Sequence, residues 1–208
     1  MLLLAGTVLA VLLVRPLGGR LRPLAGLALR GSGLLLAGLG LQVLCFVVLT
    51  GAPRPLLVGL HAVSYVLAAV FVVLNRAVPG IGLIAVGACL NALALTVNGG
   101  TMPASESAVR AAGLPLVEEG YSNSGVLVEP RLAFLGDVFA SPSWLPLQNV
   151  YSPGDLLVLA GAVWAVHRTC RSVLARDPRP ALARVLGRQP RPDAQPRTAS
   201  AGMGRLSR

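Results

Sequence analysis

The chain has 208 residues, of which 54% are hydrophobic and 12% charged, and its formal net charge of +10 is carried by arginine without a single lysine. Soluble domains carry about a quarter charged residues, so this composition, with a mean hydropathy of +0.72, excludes an ordinary water-soluble domain and predicts an all-α, polytopic transmembrane helix bundle. The arginines flank apolar stretches or crowd a Pro-rich tail that lacks the interleaved aromatics of a stacking surface, so no nucleic acid is expected and anionic lipid is the expected partner of the tail.

In chain order, the first apolar stretch runs from Met1 without charge to Arg15 and is expected to span over 1–17. It has no basic leading region and no small-residue cleavage site, which argues against a signal peptide. Three further spans are expected over 33–52, 56–74 and 78–97, each near the roughly 20 residues a hydrocarbon core requires. A fifth is expected over 153–170, with His167 and Arg168 reaching towards water at its end. The connections Pro53 to Pro55 and Asn75 to Ala77 are short, which makes the middle three helices antiparallel neighbours. Gly6 with Ala10, Ala88 with Ala92, and Ala160, Gly161 and Ala162 supply the small residues that let helices approach in lipid.

The arginines orient this arrangement. Arg15, Arg20, Arg22, Arg30, Arg76 and the ten from Arg168 to Arg208 fall on one side, and only Arg54, Arg110 and Arg131 on the other. The positive-inside rule then predicts a bacterial plasma-membrane protein with its N-terminus outside and its C-terminus in the cytoplasm.

Polar residues inside such spans are costly unless partnered. Gln42 falls near mid-membrane, and His61 and Asn91 in the outer half. Asn91 and Asn98 share a helix face, as do His61, Ser64 and Tyr65. Gln42, His61, Asn91 and Asn98, with Asp137 from the loop above, form a candidate polar pocket; the alternative is that they are interhelical hydrogen-bond glue. Neither histidine has a metal-ligand neighbour, and Cys45, Cys89 and Cys170 form no close pair, so no metal, cofactor or catalytic residue is assigned.

The segment 98–152 is expected outside the membrane as an ordered cap. It carries Glu106, Glu118, Glu119, Glu129 and Asp137, and five of the nine aromatics: Tyr121, Phe134, Phe139, Trp144 and Tyr151. Ser105 to Ala112, stopped by Gly113, reads as a short helix. Ser152, Pro153, Gly154 and Asp155 form the strongest local signal. They place Ser152 at an N-cap, proline at the first helical position and Asp155 where it accepts the cap's N–H, a structural role for both.

Asn98, Gly99, Gly100, Thr101, Met102, Pro103 and Ser105, then Leu135, Gly136 and Asp137, then Ser152 to Asp155, together resemble the signature stretches of the bacterial integral-membrane family Domain of Unknown Function 5317. Gly18, Gly19, Arg20, Leu21 and the pair Leu41 and Gln42 extend the resemblance, which covers about residues 1 to 170. It implies a multi-helix membrane protein with an external loop and carries no activity.

From 171 to 208 the chain is a basic, Pro- and Arg-rich cytoplasmic tail, expected to be largely disordered apart from a short amphipathic piece around Leu182, Val185 and Leu186. The leading functional expectation is a non-enzymatic membrane protein whose outer cap binds a membrane or envelope partner protein or an envelope ligand. The alternative is a small transporter or channel-like protein using the polar pocket, although the inner halves of the spans offer only Asn75 for a through-path. A membrane enzyme comes third and would rest on Asp137 with His61.

Overall fold

The computed structural model describes residues 2–49, 51–115, 124–142 and 148–175. They form α1 (Leu2–Leu13), a single turn α2 (Arg22–Ala25), α3 (Ser32–Val43) continued by a π-helical turn over Leu44–Val48, α4 (Arg54–Leu74), α5 (Ile81–Val97), α6 (Glu106–Ala111) and α7 (Pro153–Thr169). Between α5 and α7 lie four two-residue strands, β1 (Met102–Pro103), β2 (Ser124–Gly125), β3 (Phe139–Ala140) and β4 (Val150–Tyr151). The fold is mostly helical. Glu118, Glu119, Tyr121, Trp144 and the whole tail expectation beyond residue 175 lie outside the described residues.

A helix occupies each of the five predicted apolar segments, but five spans of membrane length do not emerge. Among the described residues only α4 is both long and apolar enough to cross a membrane. The first helix stops at Leu13, short of Arg15 and Pro16, so its 12 residues extend about 18 Å against a hydrocarbon core of about 30 Å. The fourth segment begins its helix at Ile81 because Gly80, at φ +83°, holds a left-handed turn before it. α5 and α7 have 17 residues each.

Helix pairing divides the bundle in two. α3 packs along α4 as a hairpin, while α5 and α1 both pack on α7. α4 and α5, expected as close neighbours, touch only lightly. The reason lies in four glycines. Gly80 and Gly87 on one side, and Gly154 and Gly161 on the other, are each seven residues apart, and the antiparallel register sets Gly80 against Gly161 and Gly87 against Gly154. A Cβ at Gly80 would lie 2.1 Å from the Gly161 carbonyl oxygen, and one at Gly87 2.4 Å from that of Gly154. The two backbones therefore meet directly, a contact that any side chain would break.

Hydrogen bonds fix which connections share an end. At one end Arg20 N–H donates to the Cys170 carbonyl at 2.9 Å and Val173 N–H to that of Leu17 at 3.0 Å. Asn75 is buried there, accepting from Arg30 N–H at 2.9 Å and donating to the Arg30 and Phe71 carbonyls at 2.8 Å each. His167, expected to reach towards water, is instead 1% exposed, with Nδ1 2.7 Å from the Ser172 hydroxyl. Arg15, Arg20, Arg22, Arg30, Arg76, Arg168 and Arg171 lie in the segments that meet at this end, whereas every described acid lies in or beside the cap at the other.

The cap is built on the chain leaving α5. β1 pairs in parallel with β2, Met102 opposite Ser124 and Pro103 opposite Gly125. On its other side, Asp137 N–H donates to the Pro103 carbonyl at 2.8 Å and Ser105 N–H to the Asp137 carbonyl at 3.0 Å. β3 and β4 form a separate antiparallel pair. Ala104, Ala108, Val109, Ala112 and Val150 make a small apolar core beneath α6. That helix ends as expected at Gly113, with Leu114 N–H bonded to the Val109 carbonyl at 3.1 Å and Gly113 N–H to that of Arg110 at 3.0 Å, the paired bonds of a Schellman stop.

Candidate functional site

The helix start at Ser152 builds one wall of the site. Ser152 Oγ accepts the Asp155 N–H at 3.0 Å, and Asp155 Oδ2 accepts the Ser152 N–H at 3.2 Å, a complete capping box. Asn91, on α5, ties this box to its neighbour. Its Nδ2 donates to Asp155 Oδ1 at 2.8 Å, and its Oδ1 accepts from the Ser152 hydroxyl at 2.8 Å. Donor and acceptor roles run in one direction around the set: backbone to hydroxyl, hydroxyl to amide oxygen, amide nitrogen to carboxylate. A carboxylate can only accept here, so this chain of roles orients the Asn91 amide.

Across from this network, Gln42 on α3 donates from Nε2 to Ser64 Oγ at 3.2 Å, and Ser64 donates to the His61 carbonyl at 2.6 Å. The His61 side chain is buried, and its ring meets that of Tyr65 edge-on, with centroids 5.1 Å apart and planes at 73°. These two groups face one cavity of about 280 Å³ between the α3–α4 hairpin and the α1–α5–α7 group. Gln42, His61 and Tyr65 line it from the hairpin, Asn91 and Asp155 from the other side. Ala88, Leu95, Val158 and Leu3 supply apolar wall, and Met102 of β1 reaches it from the cap.

Of the five residues proposed for a polar pocket, Gln42, His61 and Asn91 thus share a cavity, and Asn98 and Asp137 do not line it. Asn98 faces the cap instead. Its Nδ2 donates to the Ala94 and Arg131 carbonyls at 2.7 and 2.8 Å, and its Oδ1 accepts from Arg131 N–H at 2.8 Å. Although it shares a helical face with Asn91, it lies one residue past the end of α5, where its amide serves the backbone. Asp137 is 6% exposed rather than solvated, and accepts from the Ser124 hydroxyl at 2.5 Å. Burial pushes its carboxyl from an ordinary 3.8 up to about 6; the Ser124 bond works against that rise and the negative charge of Asp155 adds to it. Asp137 therefore does not join His61, its partner in the enzyme reading, in lining this cavity.

Sequence reasoning assigned Asp155 to the cap alone, yet the same carboxylate is a cavity wall. The available signal was depth: a residue three past a helix start and Asn91, near the opposite end of an antiparallel partner, fall at one level. The glycine seam had a signal too, the matched seven-residue spacing, of which only Gly161 was singled out. Gln42 and Asn91 also do what the plainer alternative required, since each bonds across two helices. Gluing helices and lining a cavity are here one arrangement.

Comparison with known sequences places the cavity in context. The model of the family of unknown function DUF5317 matches residues 26–167. The chain belongs to that family. The DUF5317 match covers the α3–α4 hairpin, α5, the cap and nearly all of α7, including all the polar cavity residues, and leaves out α1. An uncharacterized protein of Thermotoga maritima is 34% identical over 100 residues, which is 47% of this chain and 56% of that relative, so the chain spans little more than half the length of the relative it matches. No solved structure matches the chain.

Proposed function

We propose that this DUF5317 protein is a bacterial plasma-membrane protein that binds a small polar ligand in the cavity between its two helix groups, from the outer side. The observation that carries the reading is a contrast of surfaces. The helices turn large apolar side chains outwards, with Leu36 68%, Val47 69% and Val73 63% exposed, while the polar residues converge inwards on one cavity. Outward apolar faces on several helices suit a lipid surround, and a polar cavity inside such a surround is by default a functional site. Shorter helices reach across by local thinning of the bilayer and by arginines at their ends.

Seven of the described arginines meet at the end opposite the acids and three, Arg54, Arg110 and Arg131, stand at the cap end; this imbalance supports the orientation predicted from the sequence, with N-terminus outside, C-terminus inside and the arginine-rich end against anionic lipid. The cavity lies towards the cap end, since Met102, Asn91 and Asp155 all line it. Asn75 at the opposite end is committed to backbone carbonyls and does not line the cavity, which favours a binding pocket over a conduit. A second reading, a partner protein on the cap, rests on the exposure of Val128 at 100% and Phe134 at 67%, with Phe134 beside a cap cavity of about 380 Å³.

The test is a thermal-shift screen of small polar fragments on the full chain in nanodiscs, repeated with Ala88→Phe, which fills the cavity. Stabilising fragments whose effect disappears in Ala88→Phe are expected. Hits unaffected by that substitution, or no stabilising fragment at all, contradict the ligand reading.

A further inference from the structure

We infer that the cavity selects a short primary ammonium compound over an anion or an uncharged alcohol of the same size; this rests on the proposed ligand site and specifies its chemistry. Among the described residues, Asp155 is the one carboxylate lining the cavity and no arginine joins it there, in a chain without lysine. An anion entering would meet the like charge of Asp155 with no described cationic side chain in the lining to offset it.

Acceptor sites are left over around the carboxylate, beside one further N–H on each amide and the Tyr65 hydroxyl. Each Asp155 oxygen accepts one protein hydrogen bond, and a carboxylate oxygen has two acceptor sites. One N–H of Asn91 Nδ2 and one of Gln42 Nε2 are directed at Asp155 and Ser64, and the remaining lone pair of Asn91 Oδ1 and the Gln42 amide oxygen are further acceptors in the lining. Three acceptor groups match the three N–H bonds of a primary ammonium. The Tyr65 ring lines the same space, and such an aromatic face attracts a cation further. The capping box and Asn91 hold the carboxylate before any ligand arrives, so little ordering cost remains.

Volume and the apolar walls set the rest of the ligand. About 280 Å³ lies just below the roughly 300–1,000 Å³ of ligand pockets and is far more than a bare inorganic cation fills. The wall around Ala88 suits a short alkyl body.

The experiment compares n-butylammonium, n-butanol and butyrate by saturation-transfer NMR titration on the full chain in nanodiscs, with Ala88→Phe and Asp155→Asn alongside. Butylammonium is expected to bind about tenfold or more tightly than butanol, with butyrate weakest, and Asp155→Asn should lose about that factor while sparing butanol. Equal binding of the three, or preference for butyrate, each abolished by Ala88→Phe, overturns the ammonium inference and leaves the ligand site standing. Binding of all three that Ala88→Phe does not change overturns both. Should Asp155→Asn fail to fold, the ranking on the unmodified chain decides.

Discussion

The two seams of the bundle both join apolar helices and behave as opposites. Where α5 meets α7, Gly80, Gly87, Gly154 and Gly161 bring backbones into contact with no room for a methyl group. Where the α3–α4 hairpin faces this group, Gln42, His61 and Tyr65 stand off from Asn91 and Asp155 and leave a cavity. In lipid, overall hydrophobicity does not select which helices touch; the size and polarity of the contacting residues do. Four glycines produce a rigid frame, and a few polar side chains produce the space beside it.

The largest effect is expected on the tight seam. Gly87→Leu has to force α5 from α7, and about 4 kcal/mol of stability should be lost, read as lost folded protein in a denaturation series on the purified chain. Near-normal stability would mean the seam does not hold the bundle.

The next effect concerns the cap strand that carries Met102 to the cavity. Asp137 bonds through its backbone to Pro103, and its carboxyl is raised to about 6. A raised carboxyl makes the folded state bind its proton more tightly, so the cost of the charged form is fully present above about pH 6 and is relieved as pH falls towards its ordinary 3.8. Stability should therefore rise on acidification across that window by on the order of 3 kcal/mol. Asp137→Asn should remove that component, and the difference between the two stability profiles against pH measures it. A parallel pair of profiles would contradict the assignment.

Smaller again is Asn91→Leu, which leaves Asp155 and Ser152 without their cross-helix partner. A cost of about 1–2 kcal/mol is expected, with faster amide exchange concentrated at the start of α7. Uniform exchange along α7 would show that Asn91 does not anchor the capping box. Gly6→Ala, whose added Cβ meets only the movable end of the Leu159 side chain, should cost less than about 1 kcal/mol. A loss as large as that of Gly87→Leu would erase the distinction between backbone and side-chain contact.

These contrasts also mark what could be read from sequence. The capping box was legible because Ser152 and Asp155 are three residues apart and their chemistry is local. The helix segments were legible from apolar length, though their ends were not, since Pro16 and the left-handed Gly80 decide them. The partner of Asn91 was not legible, because Ser152 lies 61 residues away and only the register of α5 on α7 joins them. The burial of Asp137 was not legible, because nothing local says that β1, far earlier in the chain, pairs beside it. Asn98 was misread for the opposite reason: helical periodicity was extended one residue beyond the helix.

The central claim, a cavity reached from the outer side at the open seam, is tested most directly by cysteine accessibility at its wall. In a chain whose Cys45, Cys89 and Cys170 are replaced by alanine, Ala88→Cys should react with a small membrane-impermeant thiol reagent added to intact cells, and prior butylammonium should slow the reaction. Labelling only after the cells are permeabilised, or none even in the purified protein, would contradict it.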